Sequence, residues 1–352
     1  MTKVKLGDVA IEYKQAYQGN RESVPNVGLE HLIPSEVKLS CWNTDNDNTF
    51  TKRFNKGQVL LGRRRAYLKK AVVAPFDGIC SSDITVIEAV PNKISPELLP
   101  FIIQNERFFN YAIKGSAGSL SPRVKWEYLK EYEFDLPPIE EQERLAELLW
   151  AAYDLKESYK KLIAAIDEMV KAEFIKINTE AHLNNSKEKT IAEISESVFA
   201  GGDKPKDYSD IQTSVYQYPV YSNGEINDGL LCFSKNYRVA EKALTVSARG
   251  NIGYVCIRAP FFTPVVRLLT IIPKKDVNIT YLKYTLNHHT FSSTGSSQGQ
   301  LTLPNFKKVK FYIPSLQEQS LFDTFAQQAD KSKAELQQSS EHIDKVMRSL
   351  LP

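Results

Sequence analysis

The sequence predicts a mixed α/β protein made by tandem duplication, in which two equivalent modules are each followed by a long helix and the two helices pair as an antiparallel coiled coil. Three observations lead there. Five blocks of the first half recur in the same order in the second half. Within each copy, short apolar runs alternate with helical segments. Each copy then closes on an unbroken stretch with seven-residue apolar spacing.

The repeat can be followed along the chain. VKLGDVA (4–10) faces TIAEISE (190–196), and VLLGRRRAYLKKAVVAPF (59–76) faces LTVSARGNIGYVCIRAPF (244–261) at a constant offset of 185. SPELLPFIIQNERFFN (95–110) faces NITYLKYTLNHHTFSS (278–293), GSAGSLSP (115–122) faces GSSQGQLTLP (295–304), and PPIEEQERLAELL (137–149) faces PSLQEQSLFDTFA (314–326). A period of roughly 180 residues is too long for a solenoid unit and describes a duplicated domain. VLLG, AVVAPF and ITVIEAV, with LTVSA, YVCIRA and VRLLTII opposite them, carry strand signals between Gly, Pro, Asn and Asp punctuation. The expected division is a first module at 1–139, a helix at 140–180, a second module at 181–313 and a helix at 314–352.

From Glu140 to about Ile177 there is no Pro or Gly. Leu148, Ala152, Leu155, Tyr159, Leu162, Ile166 and Met169 fall at alternating steps of four and three, the spacing of a coiled-coil seam. The second helix repeats it through Phe322, Phe325, Ala329, Ser332, Leu336, Ser339, Ile343, Val346 and Leu350, with a more polar middle. At 1.5 Å per residue each helix is roughly 50 Å long and needs a partner for its stripe. The other helix, leaving the equivalent point of an equivalent module, is the expected one.

Composition sets further bounds. The chain of 352 residues is 42% hydrophobic and 25% charged, with a net charge of +3 that neither demands nor excludes nucleic acid. No apolar run reaches the length of a membrane span. The opening MTKVKLGDVAIEYKQ lacks the apolar core of a signal peptide. Cys41, Cys80, Cys232 and Cys256 lie far apart without metal-binding spacing, so the expectation is a cytoplasmic protein with reduced thiols and no metal.

No catalytic centre emerges. There is no phosphate-binding G-x-x-x-x-G-K-[ST], and the adjacent His288 and His289 point in different directions on a helix. Asp135-Leu-Pro-Pro138 departs from the Pro-Pro-aromatic site of amino-methyltransferases at Leu136 and Ile139, and reads as a rigid helix entry. Asp77 and Asp83, near Glu88, imitate nuclease carboxylates. At the offset of 185, however, the second copy has Phe262 and Leu268 in their places.

On these residues the chain resembles the specificity (S) subunits of type I restriction–modification enzymes, and the similar subunits of some type II systems. The marks are F-x-x-G-x-V-L-x-G (Phe54–Gly62), R-A-Y-L-K-K-A (Arg65–Ala71), A-P-F-D-G-I-C-S-S-D (Ala74–Asp83), A-R-G-N-I-G (Ala248–Gly253) and the P-x-x-x-E-Q helix openings at Pro137–Gln142 and Pro314–Gln319. Ala66 and Lys69 depart from the family pattern without altering the fold inference. The resemblance implies that each module is a target-recognition domain reading one half of a bipartite duplex DNA sequence, with the helices as a ruler for the unread gap. It implies a non-catalytic chain that binds no cofactor itself. Two modification (methyltransferase) subunits would dock on the helices, carry S-adenosylmethionine and methylate adenine. A restriction subunit, where one is present, would supply ATP-driven translocation and cleavage with Mg.

For DNA the candidate contacts in the first module are Lys52, Arg53, Arg63, Arg64, Arg65, Lys69, Lys70 and Arg123. In the second they are Lys204, Lys206, Arg249, Asn251, Arg258, Arg267, Lys307, Lys308 and Lys310. The competing reading of the arginine cluster is a solvated hairpin turn or a set of salt bridges. The loops at 115–123 and 294–305, rich in small polar residues, are candidate DNA-facing loops or plain surface linkers. The segment CWNTDNDNTF (41–50), with Trp42, differs from QTSVYQYPVYSNGEINDG (212–229), as suits modules that read different half-sites; loop drift would leave the same mark. The alternative function is a protein-binding scaffold without DNA, and a self-contained nuclease or methyltransferase is disfavoured by the missing motifs.

Overall fold

The computed structural model describes residues 2–45, 47–183, 188–291 and 300–351. Two compact units divide the chain: Met1–Lys161 with Leu336–Pro352, and Leu162–Glu335. Both long helices are divided between these units. Each contributes one end to each unit.

The first unit opens with β1 (Thr2–Lys5), the helical turn α1 (Leu6–Val9), β2 (Ala10–Glu12) and β3 (Asn26–Val27). Strands β4 (Lys52–Phe54), β5 (Val59–Gly62), β6 (Ala71–Val73), β7 (Gly78–Cys80) and β8 (Ile84–Ala89) follow. Then come α2 (Leu99–Gln104), α3 (Glu106–Lys114), α4 (Trp126–Leu129), β9 (Glu133–Leu136) and the long α5 (Ile139–Leu183). The main sheet has the order β2-β8-β5-β6, a smaller one the order β3-β7-β4, and β1 pairs with β9. β5 reads V-L-L without alternation because both its faces are covered. Val59 and Leu61 pack with the helices through Ile102 and Phe108, while Leu60 packs with Val27, Phe54 and Cys80 of the smaller sheet.

The second unit repeats the plan. Its elements are β10 (Glu188–Thr190), α6 (Ile191–Ile194), β11 (Ser195–Ala200), β12 (Tyr218–Tyr221), β13 (Leu230–Ser234) and β14 (Ala243–Val246). They continue with β15 (Val255–Arg258), β16 (Thr263–Pro264), β17 (Leu269–Pro273), α7 (Ile279–Asn287), α8 (Leu303–Lys307), β18 (Lys310–Tyr312) and α9 (Leu316–Leu350). The sheets run β11-β17-β14-β15 and β13-β12-β16. Strand register corrects one detail of the alignment. Val59 pairs with Ile87 and Leu244 with Ile271, so the offset falls from 185 to 184 across the β14–β15 turn. Arg267, not Leu268, therefore stands where the first copy has Asp83, and Phe261 stands where it has Asp77.

The divergent segments lie at the edge of the smaller sheets. In the first unit the outer neighbour of β3 is a single bridge from Asn26 to Asn43. In the second, β12 and β13 form a full hairpin, and Val239 makes a lone bridge to Phe262 on the far side of the sheet.

The P-x-x-x-E-Q motif acquires a physical role. Gln142, in the first turn of α5, is buried; its Oε1 accepts from the Ser95 amide at 2.8 Å and its Nε2 donates to the Pro137 carbonyl at 2.8 Å. Gln319 in α9 accepts from the Asn278 amide at 2.7 Å and donates to the Pro314 carbonyl at 2.9 Å. One side chain thus ties the loop before the recurrent helix to the start of the long helix, in both units.

On α5 the buried positions lie one residue from where apolar spacing put the seam, while on α9 the expected Phe322 and Ala329 are buried. Leu148, Leu155, Leu162 and Met169 are about half exposed, whereas Leu149, Tyr153, Val170, Phe174 and Ile177 are buried. Ile166 is half-buried. On α9 Phe322, Ala326 and Ala329 are buried apolar positions; Phe325, Leu336 and Ile343 are half-buried, and Val346 is exposed. The reason is chemical. Seam positions in the middle carry ions: Lys156 meets Asp344 at 2.6 Å and Lys333 meets Asp167 at 2.7 Å. Both pairs fit one antiparallel register, and Lys333 and Asp344 are the repeat counterparts of Lys156 and Asp167 at the 177-residue offset that relates Pro137 to Pro314. Among the described residues no helix is long and apolar enough to cross a membrane.

Replacing Gln142 by Ala leaves a buried amide and carbonyl unpaired, and is expected to lower stability by about 2–4 kcal/mol. Chemical denaturation of the purified chain measures this, and a loss below about 0.5 kcal/mol would show that the joint does not depend on the amide.

Candidate nucleic-acid interface

In each unit two sequence candidates that are far apart in the chain meet at one corner. In the first unit the β5–β6 turn is closed by the Gly62 amide on the Lys70 carbonyl at 2.9 Å. The Val124 amide donates to the Arg63 carbonyl at 3.0 Å, and the Arg65 amide to the Pro122 carbonyl at 2.7 Å. The arginine turn and the small-residue loop at 115–123 therefore form a single surface. In the second unit Ser247 closes the turn on the Tyr254 carbonyl at 2.9 Å, and the Leu301 amide reaches the Ala248 carbonyl at 3.0 Å. Of the loop at 294–305, residues 294–299 lie outside the described residues.

Charge at the first corner is partly compensated. Asp83 accepts from Arg123 Nε at 2.7 Å and Nη2 at 3.3 Å, and Arg64 Nη1 lies 3.4 Å away. The hydrogen bond from Arg123 holds the Asp83 carboxyl below the usual range. Arg64 also donates to Ser121 Oγ at 2.9 Å. Lys69 pairs with Glu106 at 2.9 Å, and Lys70 donates to the Leu29 carbonyl at 2.7 Å. Arg63 is half-buried, and its Nε has no partner among the described residues. Arg65 is exposed. Six cations thus share Asp83 and Glu106, and the corner stays positive.

The second corner keeps the arginine and changes its surroundings. Arg249 occupies the place of Arg64 and donates to Gln300 Oε1 at 3.0 Å. Gln300 follows the loop where Arg123 does in the first copy. Arg267 replaces the carboxylate and is exposed on left-handed backbone at φ 59°. Asn251 is exposed on the turn. Asn223 braces the corner, accepting from the Ala248 amide at 2.7 Å and donating to the Val266 carbonyl at 2.8 Å.

Two candidates belong to the interior. Lys52 is mostly buried; its Nζ donates to the Ile84 carbonyl at 2.8 Å and lies 3.6 Å from Glu12, and burial pushes its pKa down. Arg258 is 5% exposed, donates to Thr245 Oγ1 at 2.8 Å and to the Asp228 carbonyl at 2.5 Å, and stacks on Tyr221. It pins the β12–β13 hairpin to the sheet. The remaining candidates take no part in the hydrogen bonds that build the corners. Arg53 bonds Asn55 and lies 4.0 Å from Asp77, Lys204 sits over the Tyr208 ring at 3.3 Å, and Lys206 and Lys308 are exposed. Lys307 ends α8, and Lys310 lies 3.8 Å from Glu188.

The sequence singled out Trp42 but not the aromatic pairs at the edges of the smaller sheets. Trp42 packs on Phe76 at 4.7 Å, and Tyr237 packs on Phe261 at 4.9 Å. Burial pushes the Cys80 thiol up to about 12, and among the described residues no three His, Cys, Asp or Glu side chains stand as a metal would need.

The family model for the type I restriction modification DNA specificity domain matches residues 2–168 and again 184–342. The chain belongs to this family. Two Mycoplasma pneumoniae proteins named as type I specificity subunits are 32% identical over 249 residues and 31% identical over 254 residues. Each alignment takes in 68% of this chain, and they span 65% and 74% of those proteins. The crystal structure of a type I restriction–modification S subunit from M. genitalium shares the fold, with a TM-score of 0.62 over 100% of this chain and 96% of that one, at 14% identity. The specificity-domain family thus accounts for both units, as its two matches require.

Asp83 yields a pH test. Its folded pKa lies below the unfolded value near 3.9, so its stabilisation is complete above about pH 4 and is lost as pH falls through the folded value. Asp83→Asn is expected to lose about 1 kcal/mol at pH 7, with the gap to wild type closing as pH falls below the unfolded carboxylate value. Denaturant midpoints across that range measure it, and a pH-independent gap would remove the carboxylate from the explanation.

Proposed function

We propose that this chain is the non-catalytic specificity subunit of a restriction–modification complex, reading one half of a bipartite duplex DNA target with each unit. The observation that carries this reading is the repeated corner, where Arg64 with Ser121 and Arg249 with Gln300 mount a guanidinium between a turn and a small-residue loop. Such a cation, fixed at the end of a sheet and backed by further positive charge, suits a DNA phosphate, while neighbouring side chains reach base edges. Two methyltransferase subunits would dock on the long helices. The half-exposed Leu148, Leu155, Leu162 and Met169, seven residues apart on α5, offer an apolar stripe for that contact. S-adenosylmethionine, and ATP with Mg where a translocase is present, would belong to those partners.

In a complex reconstituted with its methyltransferase, Arg64→Ala and Arg249→Ala are each expected to weaken target binding roughly 3- to 10-fold and to lower the salt slope by about one charge. Binding isotherms across salt concentrations test this, and unchanged affinity and slope in both variants would overturn the assignment. Adding one heptad to each long helix lengthens the pair by about 10 Å and is expected to widen the tolerated gap by about three base pairs. Mapping methylated adenines in a host carrying the complex reads the gap; an unchanged gap with intact assembly would remove the ruler.

A further inference from the structure

We infer that Arg65 is the residue with which the first unit reads a guanine base in its half of the target. This rests on the DNA-recognition reading above and assigns a determinant within it. The β5–β6 turn has left-handed backbone at Arg65 (φ 55°, ψ 57°) and at Lys69 (φ 51°, ψ 49°). Counted from the strand pairs that close them, the equivalent positions in the second unit are Gly250 (φ 67°) and Gly253 (φ 89°). The same turn is thus made with glycine in one copy and with two long cationic side chains in the other. Left-handed backbone penalises any residue with a Cβ and costs glycine nothing comparable. Strain retained where the fold itself accepts glycine points to work done by the side chain.

For Lys69 that work is visible in its ion pair with Glu106 at 2.9 Å. Arg65 makes no side-chain hydrogen bond or ion pair with any described residue and is exposed on the positive corner. Its backbone is held on both sides, its amide donating to the Pro122 carbonyl at 2.7 Å and its carbonyl accepting from the Leu68 amide at 2.9 Å. A phosphate contact tolerates a mobile mount. A bidentate contact to guanine O6 and N7 needs the guanidinium aimed, and it is the commonest base-specific use of arginine. The repeat separates the two roles. Arg64 and Arg249 recur in both units, as a contact to the uniform DNA backbone would. Arg65 faces Gly250, as a contact to one half-site's own base would.

The test uses the complex with its methyltransferase, its target defined by sequencing methylated adenines, and three versions of this chain. Arg65→Gly is expected to raise the thermal midpoint by about 2–4 °C by relieving the strain. It should also reduce discrimination at one guanine of the first half-site by about 10-fold or more, with the second half-site and the salt slope unchanged. Arg65→Lys keeps the charge and the strain, and should lose the discrimination without gaining stability. Uniform weakening on all sequences with a lower salt slope would make Arg65 a phosphate contact and overturn the inference. Unchanged discrimination, or a midpoint that does not rise in Arg65→Gly, would overturn it as well. Should the wild-type complex lack any sequence preference, the recognition reading itself fails, a result visible before any variant is made.

Discussion

Everything in this molecule hangs from a buried amide placed in the first turn of each long helix. A glutamine side chain carries the donor and the acceptor of a peptide group, so it can stand in for a strand neighbour where none exists. Gln142 and Gln319 use both ends, accepting from a loop amide and donating to the carbonyl before the helix. The groups they satisfy would otherwise be buried and unpaired, which is far more costly than the bond is favourable. Each glutamine thereby joins the first turn of its long helix to the loop beside it.

The helix seam makes a different compromise. Its ends are apolar, with Tyr153 and Leu149 in one unit and Phe174, Phe322 and Ala326 in the other. Towards the middle it is held by Lys156–Asp344 and Lys333–Asp167, partly exposed pairs that contribute little net stability. What such pairs supply is register, because a slipped alignment would strand a charge against apolar neighbours. With ions inside, some leucines are left half-exposed on the flank.

The two basic corners share a frame and differ in charge. Asp83 organises Arg64 and Arg123 in the first, while Arg267 takes its place in the second. The salt-bridge reading of the arginine cluster therefore describes Arg64, Arg123 and Lys69, and the solvent-facing reading describes Arg65. Lys52 and Arg258 occupy strand positions whose side chains cross to a carbonyl on a neighbouring segment, so they serve the fold. Nothing in their immediate sequence distinguishes them from Arg53 or Arg249.

By itself the sequence determined the duplication, the strand and helix order, the motif at each helix start and the two segments of the corner, because all of these are written in local pattern and in repetition. Only the tertiary structure decided which cations face solvent, where the seam runs and which residue replaces Asp83. Those outcomes depend on partners distant in the chain, 40 residues for Arg123 and Asp83 and 188 for Lys156 and Asp344. On α5, apolar spacing placed the seam on Leu148 and its heptad relatives because it cannot register a partly buried lysine whose counter-ion lies on another helix. The one-residue shortening of the second turn was equally silent, since a turn's length is fixed by which residues close it, and that is a property of the paired strands.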